Sequence, residues 1–318
     1  MKKILVTGAG GFIASHMVRY LKDEGHWVRG VDIKKPEFMK SCADEFVLVD
    51  LRNEEGARKV TKGMEQVYNF AANMGGIGFI TTVKADVTHD NVLINANMLK
   101  ASVENNVERF FFSSSACIYP QELQKDYSHV ANLRELDAYP AQPDSPYGWE
   151  KLFTEIMCKS FEEDYGLESR IARYHNIYGP EGTYKGGREK APAALCRKVA
   201  MAKDGESITI WGNGKQIRSF LYIDDCLEAT KLLMESDCKE PLNIGSDEAI
   251  TVNELADIII KISGKNIEKK YDLTQPIGVR SRNADITLLK KKLNWQPKVS
   301  YKEGLEKTYR WVEKQVDK

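Results

Sequence analysis

The chain has 318 residues, a length that suggests about two domains. Lys plus Arg and Asp plus Glu number 46 each, so the formal net charge is zero and the basic excess a general nucleic-acid binder uses is missing. A mean hydropathy of −0.44, with no long apolar run, argues against membrane association through a spanning helix.

The first apolar stretch, Ile4-Leu5-Val6, ends at Thr7, Gly8 and Gly10. That is too early for the core of a secretory signal, so a cytoplasmic protein is expected. Runs rich in Val, Ile, Phe and Tyr, bounded by Gly, Asp or Ser, predict strands at residues 3–7, 27–32, 45–49, 66–71 and 109–113. Helical patterns at about 12–24, 54–62 and 88–105 lie between them. This alternation predicts an α/β fold, a doubly wound parallel Rossmann sheet with helices on both faces. A helix at 146–164 leads into a strand at 168–174.

Beyond Asn176 the pattern changes. Glycines and Pro180 mark a loop at 179–188. A helix is expected at 194–202, a strand at 208–211 and a tight turn at Gly212-Asn213-Gly214. Strands follow at 219–223 and 242–244, then helices at 253–263, 286–293 and 301–315. Two parts are expected: residues 1–176 with return segments about 219–247, and a smaller C-terminal α/β lobe from 177–218 and 248–318. The six cysteines, Cys42, Cys117, Cys158, Cys196, Cys226 and Cys238, form no C-x-x-C pair. They read as reduced thiols, with no zinc site or disulfide framework.

Thr7-Gly8-Ala9-Gly10-Gly11-Phe12-Ile13-Ala14 follows a predicted strand and opens a predicted helix, the context that gives a dinucleotide fingerprint meaning. Gly8 permits the tight turn. Gly11 lets the backbone approach a pyrophosphate at the helix N-terminus, which begins with Phe12 and Ile13. Ala14 holds the third glycine position, where helix packs on strand. The plainer reading is an ordinary glycine-rich turn, and the flanking strand and helix weigh against it. Asp32 ends the second strand, where an acid accepts from the adenosine ribose and disfavours a 2′-phosphate, so NAD is expected. Lys34 and Lys35 keep NADP open. Asp50 is placed either at the adenine edge or as the cap of the following helix.

Tyr147 and Lys151 are spaced i, i+4 on one helix face. A nearby ammonium is expected to stabilise the phenolate and make Tyr147 a usable acid or base. The spacing alone is common. It gains weight from Ser113-Ser114-Ser115-Ala116-Cys117-Ile118-Tyr119-Pro120 at the carboxyl end of the fifth strand, where ligands bind in such sheets.

The glycine-rich start, the serine-rich strand end and the Tyr-x-x-x-Lys pair together resemble the extended short-chain dehydrogenase/reductases, the NAD-dependent epimerase/dehydratase family. Five further segments are similar to the GDP-mannose 3,5-epimerases within it: residues 71–79, 114–120, 175–180, 185–194 and 216–220. The resemblance covers nearly the whole chain. Its Met-Gly-Gly, Ala-Cys-Ile-Tyr-Pro and Lys-Gly-Gly-Arg-Glu-Lys-Ala-Pro stretches are more specific than the dinucleotide fingerprint.

The resemblance implies an isomerase that oxidises C4 of GDP-mannose or a related GDP-sugar, inverts C3 and C5 beside the ketone, and reduces C4 again with recycled NAD. Tyr147 takes the hydroxyl proton, aided by Ser115 and Lys151. Cys117 and Lys190 are implied as the proton-transfer pair. Inversion needs proton transfer on both faces of the ring, which a single residue supplies only if the sugar turns over. Without the resemblance, Cys117 reads as a small core residue and Lys190 as a solvated loop lysine or a phosphate contact. Gly75, Asn176, Glu189, Ala191, Lys198, Gln216, Arg218 and Arg282 are implied as nucleotide-sugar contacts, and cations suit a diphosphate. A homodimer through the helices at 88–105 and 146–164 is also implied. The competing readings are another nucleotide-sugar 4-epimerase or 4,6-dehydratase, and a non-catalytic NAD(P)-binding protein.

Overall fold

The computed structural model describes residues 1–316. The chain begins β1 (Lys3–Thr7), α1 (Phe12–Asp23), β2 (Trp27–Asp32), β3 (Glu45–Leu48), α2 (Glu54–Thr61) and β4 (Gln66–Asn69). It continues α3 (Ile77–Thr82), α4 (Lys84–Glu104), β5 (Arg109–Ser115), a 3-10 turn (Ala116–Ile118), β6 (Asn132–Leu133), α5 (Pro146–Tyr165), β7 (Glu168–Tyr174) and β8 (Ile177–Tyr178). Then come α6 (Ala191–Met201), β9 (Ser207–Trp211), β10 (Ile217–Arg218), β11 (Leu221–Tyr222), α7 (Ile223–Glu235) and β12 (Leu242–Ile244). The last elements are β13 (Ile250–Thr251), α8 (Val252–Ser263), β14 (Glu268–Asp272), β15 (Ser281–Ala284), α9 (Thr287–Leu293) and α10 (Tyr301–Val316).

Among the described residues, one sheet has seven strands in the order β12-β7-β5-β4-β1-β2-β3, and every pairing in it is parallel. Parallel strands are buried on both faces, so they read as continuous apolar runs. In β5, Phe110 and Phe112 face one side of the sheet and Phe111 faces the other, and all three are fully buried. Each such side chain contributes about 1.5–3 kcal/mol. Strand order reverses between β1 and β4, which opens a crevice at their carboxyl ends.

A four-stranded sheet, β13-β10-β15-β6, and two strand pairs, β11-β8 and β14-β9, lie outside the main sheet. In this part the reading of residues 219–223 as one strand is corrected. β11 covers only Leu221–Tyr222, and α7 begins at Ile223. Asp224 and Asp225 in its first turn suit the helix N-terminus, and Cys226, Ala229, Thr230 and Leu233 bury one face. α7 packs on α1 and β7, and β12 then adds to the main sheet. No helix among the described residues is long and apolar enough to cross a membrane.

Candidate active site

Gly8 turns the chain out of β1 with φ +70°, and a Cβ there would lie 2.9 Å from the backbone nitrogen of Ala71 after β4. The two crossovers thus meet at the switch point. Gly11 precedes α1 and carries no side chain to cap it, so the first-turn N–H groups of Phe12 and Ile13 face the crevice mouth. Asp32 braces the loop: its carboxylate accepts from Gly10 N at 2.9 Å and Lys34 N at 3.1 Å. Gly10, Gly11, Phe12, Lys34 and Phe38 line a cleft beside it. An uncapped helix terminus, closely approached glycine backbone and a carboxylate at the end of β2 fit an adenosine diphosphate ribose.

Asp50 is engaged elsewhere. Arg52 donates to it through Nε at 3.0 Å and Nη2 at 2.6 Å, which holds the carboxyl below its ordinary range. The capping alternative is overturned: Asn53 caps α2 by accepting from Gly56 N at 3.1 Å.

α5 starts at a defined point because the Ser145 hydroxyl accepts from Gly148 N at 3.3 Å and Pro146 fills the first turn. Gly148 has no room for a Cβ, since the Cys117 carbonyl lies against it. Helix and 3-10 turn are therefore locked together. Ser115 closes β5, and its hydroxyl accepts from Cys117 N at 3.2 Å. Tyr147 and Lys151 are both buried. The Lys151 ammonium sits 4.8 Å from the Phe112 ring centroid, 5.6 Å from that of Tyr147, and 3.8 Å from Glu150 Oε1.

The expected lowering of the Tyr147 phenol by Lys151 does not occur in the chain by itself. Burial pushes the phenol well above its ordinary value, Cys117 and Glu150 push it further, and Ser115 pulls the other way. Desolvation dominates because the buried phenolate loses its water.

Cys117 is half-buried and faces Arg282 from β15, whose Nη1 lies 3.3 Å from Sγ. The same guanidinium donates Nε to Gln124 Oε1 at 2.5 Å and Nη2 to Asp144 Oδ2 at 3.3 Å. Burial opposes its charge, but Cys117 and Asp144 raise its pKa overall. Register pairs Arg282 with Arg218 of β10. Burial, with Arg282 beside it, pushes Arg218 down to about 9. Arg218 is half-buried and donates to the carbonyls of Ile217 at 2.7 Å, Ile277 at 3.1 Å and Val279 at 2.6 Å, and two guanidiniums in register suit an anion.

Lys190 stands immediately before α6. Burial lowers its pKa, and Cys117 is the largest opposing influence, so the amine and thiol lie within each other's field. Gly75 packs against Phe79. Asn176 takes φ +32° and donates to Ser219 O at 3.0 Å. Gln216 Nε2 donates to Trp211 O at 3.0 Å, while its Oε1 is buried without a partner. Lys198 donates to Thr209 O at 2.6 Å. The Glu189 carboxylate is spent within its own loop, accepting from Gly187 N at 2.7 Å and facing Arg197 at 3.4 Å. Ala191 is the first residue of α6.

Several supporting residues escaped the sequence reading. Asp144 and Gln124 hold Arg282 across separations of 138 and 158 residues, which no local pattern announces. A buried pair, Glu155 and Arg173 at 2.7 Å, lies beneath the site, with Ser114 Oγ donating to Glu155 at 2.5 Å.

A dinucleotide crevice that opens onto a Tyr–Lys pair beside the end of β5 defines an enzyme of the extended short-chain dehydrogenase/reductase type. Residues 4–245 match the family described as the NAD dependent epimerase/dehydratase family. The chain belongs to that family, and NAD is its cofactor. It is 49% identical over 318 residues to GDP-mannose 3,5-epimerase of Arabidopsis thaliana, covering 99% of this chain and 83% of that protein. It is 48% identical, with the same coverage, to GDP-mannose 3,5-epimerase 1 of Oryza sativa subsp. japonica. Among solved structures, the UDP-glucose 4-epimerase of Thermotoga maritima with UDP-glucose superposes with a TM-score of 0.89 at 29% identity, covering 99% of both chains.

Proposed function

We propose that the chain epimerises GDP-mannose at C3 and C5 through a 4-keto intermediate, giving GDP-L-galactose with GDP-L-gulose as the 5-epimer. The observation that carries this reading is that the Lys190 amine, from a separate segment, lies within the electrostatic reach of the Cys117 thiol, which also acts on the Tyr147 phenol. The near-half identity to two GDP-mannose 3,5-epimerases supports the substrate. Bound NAD supplies a reversible two-electron acceptor for C4 of the sugar.

In this reading Tyr147 takes the O4 proton, with Ser115 hydrogen-bonded to it and Lys151 holding the cofactor ribose. The ketone acidifies the hydrogens on C3 and C5. Cys117 and Lys190 exchange protons with these carbons from opposite faces, one removing and one delivering. The burial-lowered pKa of Lys190 suits such exchange near neutral pH. The paired guanidiniums of Arg218 and Arg282 support binding of the diphosphate, with Arg282 also a donor to the thiol. Gly75, Asn176, Glu189, Ala191, Lys198 and Gln216 are assigned to the sugar and base. Gly8, Gly11, Phe12, Ile13 and Asp32 are assigned to NAD, and Asp50 to the adenine edge.

The segments 177–218 and 248–318 are proposed as the nucleotide-sugar lobe, and 1–176 with 219–247 as the NAD domain. A cytoplasmic homodimer is proposed through α4 and α5. Trp149, Phe153 and Ile156 support it, since they expose an apolar stripe at helical spacing along α5. The deciding experiment is incubation with GDP-mannose in D2O, following the sugar protons by NMR. Deuterium appears at C3 and C5 of wild type. Cys117→Ala retains transient cofactor reduction and loses that uptake; unchanged uptake in the variant removes Cys117 from the mechanism.

A further inference from the structure

Lys190 sits at the end of a loop tied locally by Glu189, which accepts from Gly187 N at 2.7 Å and faces Arg197 at 3.4 Å, but otherwise pliable. Gly186 and Gly187 take φ +91° and +84°, and nothing crowds either α-carbon. Proton transfer to a sugar carbon tolerates little misplacement, of about an ångström at most. The needed order comes from the opposite loop. The Arg188 guanidinium lies 3.8 Å from the centroid of the Phe79 ring, and its Nη1 reaches Met74 O at 3.3 Å and Asn73 Oδ1 at 3.4 Å. Gly76 N donates to Arg188 O at 3.0 Å. The backbones touch so closely that a Cβ on Gly76 would lie 2.5 Å from Glu189 O.

The receiving loop is itself braced from the core. Asn73 N donates to Asn91 Oδ1 at 2.7 Å, and Asn73 Nδ2 donates to Asp90 at 3.1 Å. Asn91 Nδ2 donates to the buried Glu150 at 2.8 Å. Glu150 precedes Lys151. A hydrogen-bonded path thus runs from Glu150, the neighbour of Lys151, to Arg188, two residues before Lys190.

We infer that Arg188 is a positioning residue: clasped by Phe79 and Asn73, it holds Lys190 in register with the buried Tyr147–Lys151 pair. The inference rests on the reading of Lys190 as a proton-transfer group. A merely structural role predicts little, because an exposed cation–ring stack contributes weakly to global stability.

The test uses Arg188→Ala, Arg188→Lys and Phe79→Leu in the full-length holoenzyme with GDP-mannose in D2O. Two readouts are compared: transient cofactor reduction by absorbance, and deuterium uptake at C3 and C5 by NMR. All three variants are expected to keep cofactor reduction and KM near wild type while uptake falls about tenfold to a hundredfold. Lys does not rescue, because the planar stack is lost. Uptake unchanged in the variants, or reduction and uptake falling together, overturns the clasp. Wild type that takes up no deuterium overturns the underlying reading instead, and the clasp with it. Phe79→Leu breaks the stack from the other side, so the result stands even if one Arg188 variant fails to fold.

Discussion

The two sides of the site are held by different means. Ser115, Tyr147 and Lys151 stand on β5 and α5, regular elements whose opposite faces are packed into the core. α5 is capped at Ser145 and ends at Gly166 in the left-handed region, and the Glu155–Arg173 pair ties it to β7. Lys190 instead stands where a loop enters α6, a loop held by the Glu189–Arg197 pair and by contacts with residues 73–79. The difference teaches where each side is vulnerable. Geometry inherited from a close-packed core resists local change, whereas geometry set by one loop against another depends on a few contacts.

The sharpest way to probe the core-borne side is Tyr147→Phe, which removes the hydroxyl and leaves the ring packed. Cofactor reduction by GDP-mannose, followed in stopped flow, should slow by about two to four decades. A change of less than tenfold would remove Tyr147 from the proton step. Next comes Arg173→Met, which strands the Glu155 carboxylate in the interior. Urea unfolding should show a loss of about 3–5 kcal/mol. If stability holds, the ion pair is not what ties α5 to the sheet.

On the loop-borne side, Gly76→Ala places a methyl group against the Glu189 carbonyl. The loops must part, so turnover should fall about tenfold to a hundredfold while the thermal midpoint stays close to wild type. A fall in both would show that this side, too, is set by the core. The smallest effect concerns His175, buried behind the site, with Nε2 bonded to Asn243 Oδ1 at 3.1 Å and Nδ1 unpartnered. Burial pushes its pKa from the ordinary 6.5 to about 3. The unfolded chain takes up this proton below pH 6.5 and the folded chain does not until about 3, so stability falls as pH drops through that window. His175→Gln should remove about 1–2 kcal/mol of that acid loss at around pH 5, measured by urea unfolding at about pH 5 and about pH 8.

Much of the main sheet was readable from residue pattern. The expected limits of β1, β2, β7 and β12 coincide with those observed, and β1 is the clearest case, a short apolar run covered on both faces. The C-terminal part was read less well. β15 is Ser281-Arg282-Asn283-Ala284, entirely buried yet mostly polar. Its polar side chains bond distant partners such as Gln124, Asn132 and Asp144, with Asn283 Oδ1 left unpartnered, so no apolar alternation marks it. α3 was missed because it opens directly out of the Gly75-Gly76 pair. α7 was missed because its first apolar residues continue those of β11.

Sequence alone determined the parallel α/β architecture, the glycine-rich crossover with its acid, and the Tyr147–Lys151 spacing, since each depends on periodicity or contact within a few residues. Tertiary structure alone decided that Arg282 touches a thiol 165 residues away, that burial raises the Tyr147 phenol, and that Arg188 rests on Phe79. Those outcomes depend on which side chains are driven together and stripped of water when the chain folds, and a one-dimensional pattern does not record that.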